Sequence, residues 1–242
     1  MKIVGDTHTH TNACNHAYST ITENIHWAIG LGHRFLAITE HGCAMEGAPH
    51  PWYFSNLPKF IPRQMDGLTI LRGCEANILA DGSVDMPPQL LKGLDWVLAS
   101  MHRGIMPEGL GVEKNTEIWI KVAENPYIDC MGHMGHSAFP ADYRRVVAAC
   151  AQYGKVVEIN ASSPVSRPGS EENCREILRL CKELDVPIVL SSDAHYMTNI
   201  GVVDWSIAAV EEVGYPEERI LNLDYHRMTH WLYQKKGLVL PE

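Results

Sequence analysis

Six apolar runs in this chain end on residues that can bind a metal ion or move a proton. Ile3-Val4-Gly5 leads into Asp6-Thr7-His8-Thr9-His10, and Phe35-Leu36-Ala37-Ile38 leads into Thr39-Glu40-His41. Leu68-Thr69-Ile70-Leu71 leads to Glu75, and Trp96-Val97-Leu98-Ala99-Ser100-Met101 stops at His102. Ile128-Asp129-Cys130-Met131-Gly132 stops at His133, and Ile188-Val189-Leu190-Ser191-Ser192 stops at Asp193 and His195. His8 and His10 lie two apart, so on a strand their rings share a side and both can reach one ion. Asp6 points the same way and can orient a ligand by accepting its proton. Glu75 can bridge two cations, which a neutral imidazole cannot do. A single His after a strand is most often a hydrogen-bonded loop residue. Repetition at successive strand ends needs a common cause, because converging imidazoles repel once protonated. The chemistry implied is a metal site of imidazoles and carboxylates.

These residues need a scaffold that brings strand ends together. Short apolar runs alternating with helical stretches read as parallel strands covered on both faces. Strands are expected near 2–6, 34–39, 68–74, 94–101, 127–132, 156–160 and 187–192. Helices are expected near 22–31, 55–65, 115–124, 141–153, 170–184, 202–213 and 224–235. Thr20 or Thr22 is a candidate cap for the first helix, and Ser170 with Glu171 and Glu172 reads as a capped start with an acidic first turn. Asp81-Gly82 marks a turn, and the aromatic, Pro- and Gly-containing loop 42–54 follows the second strand. In a parallel barrel all C-terminal strand ends meet at one mouth, where active sites form. The expected fold is an α/β, TIM-like (βα) barrel of seven strands in a single domain spanning residues 1–242. His8, His10, His41, Glu75, His102, His133, Asp193 and His195 should converge at its mouth, with His16 in the loop after the first strand.

The 242 residues suit one such barrel of about 250. The net charge of −9, with no basic stretch, argues against nucleic acid as a partner, and part of the acidity is expected to sit around bound cations. Seven cysteines without a CxxC pair fit reduced thiols in a cytoplasm, which leaves the metal to His and carboxylate donors. No apolar stretch nears the ~18 residues of a membrane span, and a strand pattern at the very start leaves no signal peptide expected. A homo-oligomer stays open.

The segments Asp6-Thr7-His8-Thr9-His10, Ile38-Thr39-Glu40-His41-Gly42, Leu71-Arg72-Gly73-Cys74-Glu75-Ala76-Asn77, Met101-His102, Gly132-His133 and Ser192-Asp193-Ala194-His195 resemble the PHP (polymerase and histidinol phosphatase) superfamily. The likeness continues through Asn15-His16-Ala17-Tyr18-Ser19-Thr20, the Met45–His50 stretch and the Arg167–Glu176 stretch, and is greatest to the small YcdX-like bacterial phosphatases. It implies a distorted seven-stranded barrel and a trinuclear zinc site. His8, His10, Glu75 and Asp193 would hold one ion, Glu75, His102 and His133 a second, and His16, His41 and His195 a third. Zinc suits such donors, and manganese or iron shares them. Two departures stand out: Glu40 occupies a position that is usually Asp, and Met134-Gly135-His136 replaces a Pro-containing turn after His133.

The expected reaction is hydrolysis of a small phosphate monoester by metal-activated hydroxide, with Glu75 and Asp193 shaping the metal centre. Arg167, in a loop before the Ser170 helix start, is a candidate for binding the substrate phosphate together with the free N–H groups of that helix. Arg72 and Arg103 are further candidates, and His50 and Trp52 could line the pocket. Asn160 has no evident metal role, and His26, His33, His226 and His230 belong to helices rather than to the site. Two alternatives remain: a histidinol-phosphate phosphatase, and a non-catalytic metal-binding PHP module. A metal-dependent amidohydrolase is a third, since its barrel chemistry overlaps; it usually relies on a bridging carboxylated Lys or a carboxylate at a different strand, and no Lys here ends a strand.

Overall fold

Strands that are apolar on both faces must be covered on both, so each returns through a helix and pairs in parallel with its predecessor. The computed structural model describes residues 1–241. The chain runs β1 (Gly5–Asp6), α1 (Ile21–Gly30), β2 (Phe35–Ile38), α2 (Pro51–Phe60), β3 (Gln64–Met65), β4 (Leu68–Asn77), α3 (Pro88–Leu91) and β5 (Trp96–Ser100). It continues through α4 (Gly111–Glu124), β6 (Cys130–Met131), α5 (Tyr143–Tyr153), β7 (Val156–Asn160), α6 (Ser163–Ser166), α7 (Glu171–Glu183), β8 (Ile188–Ser191), α8 (Asp204–Val213) and α9 (Tyr225–Lys236). Seven strands pair in parallel in the order β1-β2-β4-β5-β6-β7-β8, and β3 adds an antiparallel flank to β4. A parallel bridge between Thr9 and Ala194 links the two ends of this sheet. The result is a nearly closed, distorted TIM-like barrel.

The expected seven strands are present, with two shortened. Only Cys130–Met131 remains of the run expected at 127–132, because Asn125 closes a turn there through its side chain to the Tyr127 N–H (3.0 Å). The helix expected at 55–65 spans Pro51–Phe60 instead. Proline suits a first helical position, the His50 ring accepts the Trp52 N–H (3.2 Å), and Pro62 forces Ile61 out of helical conformation. For α1, Thr20 is the cap, in a reciprocal box with Glu23.

Side chains alternate along each strand, and this sorts the barrel interior. Phe35, Ala37, Leu71, Trp96, Leu98, Cys130, Val156 and Val189 pack together inside, closed from below by Tyr225, Met228 and Leu232 of α9. Moving two residues at a time toward the mouth, the same faces turn polar: Val156 gives way to Glu158 and Asn160, Leu71 to Glu75 and Asn77, and Val189 to Ser191. The floor of the barrel is therefore hydrophobic and its upper half is built of hydrogen-bonding groups. The cysteines are all free, and no helix among the described residues is long and apolar enough to cross a membrane.

Candidate metal centre

At the mouth, the ring nitrogens Nε2 of His8 and His10 stand 3.1 Å apart. From His8 Nε2 it is 3.2 Å to Glu75 Oε2 and 3.4 Å to Asp193 Oδ1; from His10 Nε2 the same oxygens lie at 3.5 and 3.3 Å. Four ligands held about 2.0–2.1 Å from a tetrahedral zinc ion would be separated from each other by about 3.3–3.4 Å. The observed separations bracket that value, so the donors fit one ion. Glu75 Oε2 also lies 2.8 Å from His41 Nδ1, yet neither atom has a hydrogen-bond partner. Buried donors this close that do not bond to each other are aimed at a common point.

The second oxygen of Glu75 faces another pair. His133 Nε2 is 2.9 Å and His102 Nε2 3.2 Å from Oε1. One carboxylate thus divides two imidazole sets between its oxygens. A third group surrounds His41: the His16 ring centroid lies 5.0 Å from that of His41 and 5.1 Å from that of His195. His10, His41 and His195 also bring donor atoms within 4.8 Å of one another, so His10 stands between two groups. All nine ligand positions implied by the sequence are gathered at this mouth.

The ring orientations are set by neighbours. His8 Nδ1 donates to Glu158 Oε1 (2.6 Å), His102 Nδ1 to Asn77 Oδ1 (2.8 Å) and His195 Nδ1 to the Asp193 carbonyl (2.9 Å). Each bond places the proton on Nδ1 and leaves Nε2 free as a donor to a cation. Asn77 is itself fixed by donating to Asp85 Oδ2 (2.6 Å) and the Gly42 carbonyl (3.0 Å). Gly42 is required there, since a Cβ would collide with the Asp85 carboxylate. Asp6 accepts from Ser192 and the Gly201 N–H, and so ties the Asp193 loop to β1. His133 (φ 28°) and Asp193 (φ 55°) are both left-handed, a strained conformation for residues other than glycine that clusters at functional sites.

Electrostatically the site is short of positive charge. Burial would raise the Glu75 carboxyl, but His8, His102 and His41 outweigh it and hold it well below the usual range. Burial likewise opposes ionisation of Asp193, and His8 and Arg167 reverse that. Burial disfavours a charged His8, yet Glu75, Asp193 and Glu158 together hold it well above its ordinary value. Burial and the nearby His41 push His10 well down, and burial with Arg167 brings His133 to about 4. A proton on His8 is one way to answer three buried carboxylates; a divalent cation among them is the other.

Above these groups lies a cavity of about 340 Å³, lined by His16, His41, His102, Asp193 and His195, with Met45, Ser162, Ser166 and Arg167. Arg167 turns inward, only 11% exposed, and donates through Nη2 to Asp193 Oδ2 (2.9 Å) while Nη1 has no partner. Its expected ally is elsewhere. Ser170 is buried, makes no side-chain cap, and is not among the residues lining this cavity. Arg72 is engaged with Asp95 at the opposite end, Arg103 is exposed beside Glu108 (3.4 Å), and the exposed His50 and Trp52 stand outside the lining. Glu40 is wholly buried. It accepts from the Thr11 N–H (2.9 Å) and hydroxyl (2.6 Å), and its second oxygen lies 4.0 Å from His10 Nδ1. His136 is buried against Phe139, and burial with His133 lowers it to about 3.

Two residues with a part in the site were missed in the sequence. Glu158 lies inside a strand rather than at its end, and only the alternation Val156, Glu158, Asn160 reveals that it faces the mouth. Asn160 donates to Asp193 Oδ2 (3.2 Å) and Glu158 Oε2 (3.3 Å), a supporting role that has no sequence signature.

A model of the PHP domain family matches residues 6–162. The chain is 43% identical over 238 residues to a protein of Thermoanaerobacter sp. strain X514 named "Probable phosphatase", with 98% of this chain and 97% of that one covered. It is 44% identical over 237 residues to a protein of the same name from Acetivibrio thermocellus, with 98% of each covered. Among solved structures, the histidinol phosphate phosphatase of Lactococcus lactis, complexed with zinc, L-histidinol and phosphate, superimposes with a TM-score of 0.60 at 16% identity, covering 88% of this chain and 94% of that one. At that identity the likeness concerns the fold alone.

Proposed function

This chain belongs to the PHP domain family, and from that premise we propose that it hydrolyses a small phosphate monoester at a trinuclear zinc centre. The observation that carries the reading is the division of the Glu75 carboxylate, one oxygen toward His8, His10 and His41 and the other toward His102 and His133. His8, His10, Glu75 and Asp193 would hold one ion, Glu75, His102 and His133 a second, and His16, His41 and His195 a third. Manganese or iron could take the same donors. The names of the relatives support a phosphatase. The whole chain reads as one PHP domain, because Asp193 and His195, beyond the matched segment, reach the same mouth as His8.

When bound, the ions would acidify a water for attack on phosphorus and offset the charge of the phosphoryl oxygens. The chain's own groups do the rest. Asp193 and Glu75, held ionised, keep the donor set anionic. Arg167, which lines the cavity and whose buried Nη1 has no partner, binds the phosphoryl group, and its bond to Asp193 aims it. Ser162 and Ser166 line the cavity with hydroxyls, which suits a polar leaving alcohol. A screen of the zinc-loaded protein against sugar phosphates, nucleotides and histidinol phosphate tests the reading. Hydrolysis of a monoester that stops on chelation is the expected result. A folded, zinc-loaded protein that cleaves none of them would make the chain a non-catalytic metal-binding module.

A further inference from the structure

Glu158 stands outside the donor set yet touches two of its members. Its Oε1 accepts from His8 Nδ1 (2.6 Å) and from the Ser191 hydroxyl (2.6 Å). Its Oε2 accepts from the backbone N–H of His133 (2.7 Å) and from Asn160 Nδ2 (3.3 Å). All four partners are donors, so the carboxylate is used as an acceptor at every position. It is 3% exposed, and no lysine or arginine pairs with it among the described residues. A carboxylate buried in this way is costly unless its neighbours need it.

Both ring and backbone need it. The bond to His8 fixes the Nδ1–H tautomer and leaves Nε2 with its lone pair toward His10, Glu75 and Asp193. The bond to His133 holds an amide whose residue is left-handed at φ 28°, and so sets the direction of the ring that meets Glu75 Oε1. We propose that Glu158 is a positioning residue that sets the donor geometry of two metal sites at once, through the His8 ring on one side and the His133 backbone on the other. This rests on the assignment of His8 and His133 as metal ligands above.

Glu158→Gln separates this role from simple packing. The amide has the same shape but one acceptor oxygen. The His133 N–H cannot reverse its polarity, so the oxygen should stay with it and the NH₂ should turn toward His8 and Ser191. Ser191 can rotate its hydroxyl to accept. His8 can accept only by moving its proton to Nε2, the atom that should face the ion. Zinc affinity, measured by chelator competition, should then fall about 10–100-fold, the scale of losing such a supporting partner. The melting temperature of the metal-free protein should stay near that of the parent. Ser191→Ala, which removes a different bond to the same oxygen, should keep parental zinc affinity. Parental affinity in Glu158→Gln, or an equal loss in Ser191→Ala, would overturn the proposal. A measurement on the zinc-loaded parent needs no variant. Nitrogen-15 NMR should find His8 protonated at Nδ1 and bound through Nε2, and binding through Nδ1 would overturn the proposal even if Glu158→Gln did not fold. A parent that binds no zinc would remove the metal reading and this inference with it, whereas a zinc-binding parent with an indifferent variant would remove the inference alone.

Discussion

Around the hydrophobic floor, at the starts of β5, β6 and β7, Arg72 meets Asp95 at 2.6 and 3.2 Å, Lys236 meets Asp129 at 2.6 Å, and Lys155 donates to the carbonyls of Asn125 and Ile128, each at 2.6 Å. At the mouth, Glu40, Glu75, Glu158 and Asp193 are buried as deeply, but imidazoles surround them and Arg167 is the guanidinium within reach. The cost of burying charge is of the same kind at both ends. The floor meets it with cations built into the chain, which suits a region that only has to hold together. The mouth has carboxylates and ring nitrogens without matching cations, and Glu75 Oε2, His41 Nδ1 and His102 Nε2 lack hydrogen-bond partners. One end gives most of its buried charges cations of the chain's own, with Asp129 Oδ1 still unpartnered, while the other leaves its carboxylates mainly to imidazoles and so has room for a charge from outside.

The contrast implies that mutations at the mouth should cost function and mutations at the floor should cost stability. Glu75→Gln should give the largest effect, a loss of kcat of about 10³-fold on any substrate the screen identifies, the upper scale for removing a preorganised electrostatic group. Its melting temperature should change little, since the hydrophobic floor is untouched. Near-normal turnover would deny Glu75 its bridging role. The counterpart is Arg72→Ala, which strands Asp95 beside the partly exposed Arg63 (3.1 Å). Urea denaturation should show a loss of about 3 kcal/mol, the lower end for breaking a buried pair, with zinc content per folded molecule unchanged.

Arg167→Ala should sharpen the division within the mouth itself. Because Arg167 faces the cavity and pairs with Asp193 without entering the donor set, kcat/KM should fall by about 10–100-fold, corresponding to ~1.5–3 kcal/mol for a charge-assisted bond, while zinc content is preserved. Parental kinetics would mean that the phosphate is held without it. The smallest effect belongs to the floor. Burial, and then the neighbouring Lys235, bring Lys155 down from 10.5 to about 8. Between these values the unfolded chain binds more protons than the folded one, so stability rises with pH across that window and is lost again as pH falls through about 8. Stability curves of the parent and of Lys155→Met should differ in slope there, and identical slopes would show that Lys155 titrates normally.

The mouth was legible in the sequence because its donors follow the apolar runs, Glu75 included, although β4 itself continues to Asn77. An apolar run stopping at His102 or Asp193 announces both the strand and the residue at its tip. The same rule hid Glu158, which lies two residues short of the end of β7 and shows its direction only through the alternation of Val156, Glu158 and Asn160. The floor was not legible as a paired layer. Arg72 and Asp95 lie 23 residues apart, and nothing local says that they meet. Helix ends followed local chemistry where it was strong, as at Thr20 with Glu23, and moved where a proline decided them, as at Pro51. The phosphate role expected of the α7 start gains no support, because Ser170 is buried and stands outside the cavity lining, to which Arg167 belongs with Ser162 and Ser166.

The central claim is that the unpaired charge at the mouth is completed by metal ions, and elemental analysis of the purified, zinc-reconstituted protein after mild dialysis tests it most directly. Close to three transition-metal ions per chain are expected, falling in Glu75→Gln and unchanged in Arg72→Ala. One ion or none in a folded, reconstituted sample would contradict the claim.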